Sequence, residues 1–239
     1  MTPPERHDAR TLGVALRAAV TDVAMSDGPP PPGLSLFAVG QGPITKRLVD
    51  IEAQTVRSVW STNPTLSFDP ENPAFELEDR SYARKVDLQR ITTERALRFS
   101  PLLPSFTPQI RVGTAMLRLI ISDERLALLE GPDTARGEPV AWAATSGTFL
   151  ARALELWHVT WAESRPVLAD SEEPPLNARQ LSVARAMCLG RTDAAIARAL
   201  DVSPRTVARD VAAVMALTGA DSRAGAVLAM LGRGRQSRT

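Results

Sequence analysis

Four short segments between residues 177 and 231 constrain the fold most. Each carries an apolar stripe and each follows a residue that caps helices: Asn177, Thr192, Ser203 and Ser222. The first segment places Leu181, Ala184, Met187 and Cys188 on one face and stops at Gly190. The second is short, with Ile196 and Leu200 inward. Asp201-Val202-Ser203 then forms a tight turn, and Pro204 falls in the first turn of the third helix, where its missing N–H does no harm. In that helix Val207, Val211 and Val214 lie at i, i+4 and i+7 and make the buried stripe. Arg209 then points about 200° away from Val207, directly outward, while Asp210, at about 300°, lies near the edge of the stripe. Two short helices joined by a three-residue turn, the second capped and carrying arginines, have the layout of a helix-turn-helix. A small helical bundle used for protein contacts fits the same pattern.

Charge separates this module from the rest. The 239 residues have a formal net charge of only +1. From Leu176 onward, however, there are 10 arginines, no lysine, and 4 acidic residues, all aspartate, which leaves +6 there and −5 on the remainder. A basic end on an acidic body suggests nucleic acid as its partner, and a solvated arginine-rich surface is the alternative.

The preceding chain mixes helical and strand patterns, so an α/β body is expected. Residues 1–33 read as a leader: a helix over 11–25, then Ser26-Asp27-Gly28 and four prolines, Pro29 to Pro32, which cannot continue it. A second helix is expected over 43–60, loop over 63–73, strands over 116–122, 126–130 and 140–144, and a helix over 149–162. Asp123-Glu124-Arg125 is the turn of a strand pair. The acidic, proline-ended run Asp170 to Pro175 reads as a linker. The expected division is therefore a helical, proline-rich leader at 1–33, an α/β sensor or oligomerisation domain at 34–168, a linker at 169–176, and an all-α four-helix domain at 177–239.

Three runs make the C-terminal module more specific. They are Leu176-Asn177-Ala178-Arg179-Gln180, the stretch from Ala194 through Asp201-Val202-Ser203-Pro204-Arg205-Thr206-Val207, and Gly219-Ala220-Asp221-Ser222-Arg223-Ala224. Together they resemble the LuxR-type (GerE-like) DNA-binding domain, particularly its actinobacterial members. The resemblance covers about the last quarter of the chain. It implies that the third helix reads the major groove and that the fourth supports dimerisation. Positions 208 and 210, often basic in that family, are Ala208 and Asp210 here, which implies weaker affinity or altered specificity. A fainter resemblance over residues 43–168 is to the phospholipase D-like sensor region of such regulators. It implies a degenerate phospholipase D-like fold. The catalytic His-x-Lys-x-x-x-x-Asp pattern would fall on Met116, Arg118 and Asp123, and methionine cannot be the imidazole nucleophile. Met116 and Arg118 read more simply as ordinary strand residues.

Other chemistries are excluded quickly. One cysteine, Cys188, and two isolated histidines, His7 and His158, offer neither a disulfide nor a metal cluster. Gly40-Gln41-Gly42 lacks the Gly-Lys-Ser/Thr of a phosphate loop. Trp142, Trp157 and Trp161 read as core, with a ligand pocket as the alternative. No apolar run reaches the roughly 18 residues of a membrane span. The expectation is a cytoplasmic transcriptional regulator that is not an enzyme and needs no cofactor. Its partners would be double-stranded DNA, a second copy in a homodimer, and a small-molecule or protein effector. Arg205, Thr206 and Arg209 are the expected groove contacts, with Ser203 at the helix start, and Arg179, Arg198 and Arg223 are candidates for phosphate. The rivals are an interaction module that has lost DNA binding and a phospholipase D-like phosphodiesterase.

Overall fold

The computed structural model describes residues 8–70 and 74–233. His7, Arg235 and Arg238 lie outside them. The chain divides into two compact units, each assembled from separated stretches. The first takes Met1–Pro64, Pro73–Thr93 and Arg111–Arg165, and the second Thr65–Asn72, Glu94–Ile110 and Pro166–Thr239.

The first unit is built on a mixed sheet. Its strands are β1 (Leu34–Val39), β2 (Ser58–Thr62), β3 (Asp87–Thr92), β4 (Arg111–Val112), β5 (Leu119–Ser122), β6 (Leu126–Glu130), β7 (Val140–Ala144) and the short β8 (Arg165–Pro166), in the order β1-β7-β6-β5-β2-β3-β4-β8. β2, β3 and β4 run parallel, β5, β6 and β7 form an antiparallel meander, and β1 pairs antiparallel with β7 at the sheet edge. β5 joins the two parts by pairing antiparallel with β2.

Helices cover both faces. On one side α1 (Ala9–Ala24) and α6 (Gly147–Glu163) pack Leu16, Val20, Phe149, Leu156 and Trp157 against Leu119, Ile121 and Leu129 of the sheet. On the other, α2 (Gln41–Gln54) lays Ile44, Leu48 and Ile51 against Phe37, Leu128 and Ala143. α3 (Ala74–Ala83) packs beside α2 and β3. Two expectations are corrected here. The segment read as a leader contains α1, whose Leu16 and Val20 are essentially unexposed, so it belongs to the core. The helix expected over 43–60 ends at Gln54, because Thr55 turns extended (φ −74°, ψ 128°) and the β-branched run beyond it enters β2. Val56, inside the expected helix, lies beyond its end and is 73% exposed.

Asp123 is more than a turn residue. It and Glu124 both have positive φ (50° and 58°), and Arg125 N–H donates to Ser122 C=O across the turn (3.0 Å). That geometry has the twist of a type I′ turn, uncommon without glycine. The buried Asp123 carboxylate offsets the strain. It accepts from the amides of Val56 (3.0 Å), Arg57 (2.7 Å) and Ser58 (2.9 Å), which starts β2 beside β5. Burial, the largest single influence, pushes its pKa up. The three amides and the Arg57 charge together outweigh it and hold the carboxyl below its ordinary 3.8.

The second unit is helical. α4 (Glu94–Phe99) and α5 (Leu103–Phe106) return from the body of the chain to join α7 (Ala178–Cys188), α8 (Asp193–Ala199), α9 (Pro204–Thr218) and α10 (Arg223–Met230). Leu176, placed in the expected linker, is 2% exposed and its N–H donates to Ser105 Oγ (2.9 Å). Phe68 meets Phe106 edge-on at 6.0 Å, and Arg185 Nε donates to Pro70 C=O (2.9 Å). The helical unit thus draws on residues 65–72 and 94–110 as well as the C-terminal stretch. The continuous boundaries read from composition miss this, because composition does not report which distant segments return.

Replacing Asp123 by Ala should lower stability by on the order of 3 kcal/mol, since three amides would lose a charged acceptor. The wild-type contribution is complete above pH 3.8, the ordinary carboxyl value, and is lost as pH falls through the depressed folded-state value. Urea unfolding of wild type and Asp123→Asn should therefore converge as pH is lowered below about 4. A constant gap across that range would contradict the assignment.

Candidate nucleic-acid interface

The four caps expected from sequence are all made. Asn177 and Gln180 form a reciprocal capping box at α7. Thr192 Oγ1 accepts from Ala195 N–H (3.3 Å), Ser203 Oγ from Thr206 N–H (3.1 Å), and Ser222 Oγ from Gly225 N–H (3.1 Å). Between α8 and α9 the chain reverses through Asp201, which has φ 52°. α9 ends at Gly219 in the left-handed region (φ 63°), a conformation that glycine adopts without steric cost.

α9 has two chemically distinct faces. Val207, Asp210, Val211 and Val214 are buried, and Arg205, Ala208, Arg209, Ala212 and Ala216 are exposed. The exposed stripe thus carries two guanidinium groups separated by methyl side chains. Short side chains let the helix backbone approach a groove while the long arginines reach beyond it.

Asp210 departs from its expected place. It was read at the edge of the apolar stripe, where it implied weaker affinity or altered specificity, but it is 0% exposed. Arg179 of α7 grips it through two hydrogen bonds, Nε to Oδ2 at 2.7 Å and Nη2 to Oδ1 at 3.3 Å. This bidentate geometry is the strong form of the ion pair. The hydrogen bond that Arg179 donates to Asp210, aided by the carboxylate's charge, raises the Arg179 pKa above the ordinary value. The pair ties α7 to α9 and neutralises the one carboxylate in the body of α9.

The remaining candidates fall into two groups. Arg205 and Arg209 share the exposed face of α9, and Arg198 is exposed on α8. Ser203 and the half-buried Thr206 sit together at the helix start, their hydroxyls 2.9 Å apart. Arg179 and Arg223, expected at phosphate, are instead engaged inside the module. Arg223 bonds to the Asp193 carboxylate and donates to Arg191 C=O (2.5 Å). Sequence reasoning missed both pairings because each joins residues about thirty positions apart.

Elsewhere the phospholipase-like register does not assemble. Met116 packs into the first unit's core, and a Cβ at Gly13 of α1 would lie 2.6 Å from its own Cβ. Arg118 is exposed at the strand edge, and Asp123 is occupied by the amides of β2. Trp157 stacks on Trp60 (5.6 Å, 11°) and Trp161 (5.5 Å), with the Arg111 guanidinium 4.5 Å from the Trp161 ring centre, as expected of core aromatics. Burial pushes the Cys188 thiol up to about 11, which leaves it un-ionised at neutral pH. Among the described residues no helix is long and apolar enough by itself to cross a membrane, and no three His, Cys, Asp or Glu are grouped to hold a metal ion.

No family model matches the chain, and no curated protein matches it. Solved structures offer distant likenesses. TrmBL2, an archaeal chromatin protein with a novel mode of DNA binding, is 13% identical with a TM-score of 0.45, and the match covers 62% of this chain and 59% of that one. Nuc from Salmonella typhimurium, a phospholipase D family member, is 16% identical (TM-score 0.42) over 57% of this chain and 99% of its own. NucT from Helicobacter pylori is 11% identical (TM-score 0.43) over 56% and 98%. Each is a likeness of backbone alone and assigns no site in this chain.

Arg179→Met should destabilise the protein more than Asp210→Leu, because the first leaves a buried carboxylate unpaired while the second leaves a half-exposed guanidinium that can turn to water. The double variant Arg179→Met/Asp210→Leu should recover most of the loss. Thermal melts of the four proteins check this, and equal losses with simple additivity would show that the two groups do not act as a pair.

Proposed function

We propose that the chain is a LuxR-type DNA-binding transcriptional regulator. α8, the turn at Asp201 and α9 serve as its helix-turn-helix. The observation that carries this reading is the outward face of α9, where Arg205 and Arg209 project beside Ala208, Ala212 and Ala216. Arginine is the commonest reader of guanine O6 and N7, and the capped N-terminus of α9 favours a nearby phosphate. Ser203 and Thr206 hold that terminus, and Arg198 is the remaining exposed candidate for backbone contact. With Asp210 neutralised by Arg179, its carboxylate gives no reason for weakened affinity and does not read cytosine.

The first unit acts in this reading as a sensor or oligomerisation body in the cytoplasm, and the protein binds two half-sites as a homodimer. It performs no phosphodiester chemistry of its own, since the position a nucleophile would need is Met116, packed against Gly13. Purified protein should not turn over a chromogenic phosphodiester. Turnover that disappears in Arg118→Ala would overturn that part.

The full chain should bind duplex DNA with log affinity falling linearly against log salt. Arg205→Ala or Arg209→Ala should each cost about 1–3 kcal/mol on a selected site and relax one base preference. Asp210→Asn, by contrast, should change stability without tightening binding to every sequence. Gel-shift titrations on selected and scrambled duplexes at fixed salt separate these outcomes. Absence of binding at low salt would favour a protein-interaction module instead.

A further inference from the structure

A groove of about 400 Å³ runs between α7 and α8. Small-molecule sites occupy roughly 300–1,000 Å³, are mostly apolar, and carry a few polar groups that fix orientation. This groove has that composition. Ile196 and Ala199 line it from α8 and Leu200 from its C-cap, and Ile196 is 1% exposed. Leu189 lines it from the end of α7 and leaves 42% of its surface to solvent. The charged side chains that line it are Arg185 and Arg191, and no carboxylate does so among the described residues. Arg185 Nε is committed to Pro70 C=O (2.9 Å). Arg191 is exposed in the connection between α7 and α8, and its backbone C=O is fixed by Arg223. With two guanidinium groups in its lining, the field at the groove favours an anion.

We infer that this groove binds a small amphipathic organic anion. Its apolar body lies on Ile196, Leu200 and Leu189, and its carboxylate or sulfonate meets Arg191. None of the exposed residues of α9 lines the groove, so the site is separate from the α9 face assigned to DNA.

The test uses the full chain and two probes, 8-anilinonaphthalene-1-sulfonate followed by fluorescence and decanoate as its competitor. Wild-type protein should bind the sulfonate saturably with one site per chain, and decanoate should displace it. Arg191→Glu removes the anion's partner and Ala199→Trp fills the groove, so each should weaken binding at least tenfold while the thermal midpoint stays at the wild-type value. Arg205→Glu, on α9, should bind as wild type does. In wild-type protein, decanoate should shift the amide resonances of residues 189–200 first, a readout that does not depend on any variant folding. Undiminished binding in both groove variants, no saturable binding, or amide shifts confined to other elements would each overturn the site. Self-association that Ala199→Trp abolishes, without binding of either probe, would give the groove to a second copy and overturn it equally.

Discussion

The helical unit is organised around a carboxylate where an apolar residue would be expected. Asp210 occupies the buried side of α9 between Val207 and Val214, and a lone ionised carboxylate there would be strongly destabilising. Arg179 removes that cost with a two-pronged contact, and in doing so fixes how α9 sits against α7. Ion pairs of this kind are geometrically demanding and tolerate little sliding. The contact therefore does for orientation what a purely apolar helix–helix contact does less exactly. It also separates charge by function: one arginine and the carboxylate are consumed internally, and Arg205 and Arg209 remain on the outer face.

The same division of labour occurs in the first unit. Asp123 spends its charge on three backbone amides and so pins the start of β2 to the turn after β5, where the parallel and antiparallel halves of the sheet meet. Residues that could be mistaken for chemistry, Asp123 and Asp210 alike, are structural anchors. Their common feature is a buried carboxylate fully supplied with donors. In the first unit Met116 likewise serves packing, against the bare backbone of Gly13.

What was legible in the sequence was local. Caps act over three residues, so Asn177, Thr192, Ser203 and Ser222 announced the helices of the second unit, and the valine stripe of α9 fixed its buried side. The hairpin around Asp123 was equally visible, because its strands are adjacent in sequence. What was illegible was set by distant partners. β1 was not anticipated, since a bulge between Leu36 and Ala38 breaks its alternation. Val56 and Val59 sit at spacings a helix could use, yet strand pairing with β5 and β3 claimed the segment that includes Val59. Arg179 and Arg223 looked like free cations because nothing local reveals a partner about thirty residues away. The one available signal was Asp210 itself, a charged residue at an angle close to the buried stripe of α9, which calls for a cation from a packed neighbour.

The proposed contact of the outer face of α9 with DNA is open to a direct test. Cys188 is un-ionised at neutral pH, so a single new thiol can be labelled selectively. An iron chelate tethered to Ala208→Cys tests the placement directly through cleavage of a bound duplex. Strand scission should be confined to a few base pairs within each half-site. Intact DNA, or scission spread evenly along the duplex while the labelled protein remains bound, would contradict it.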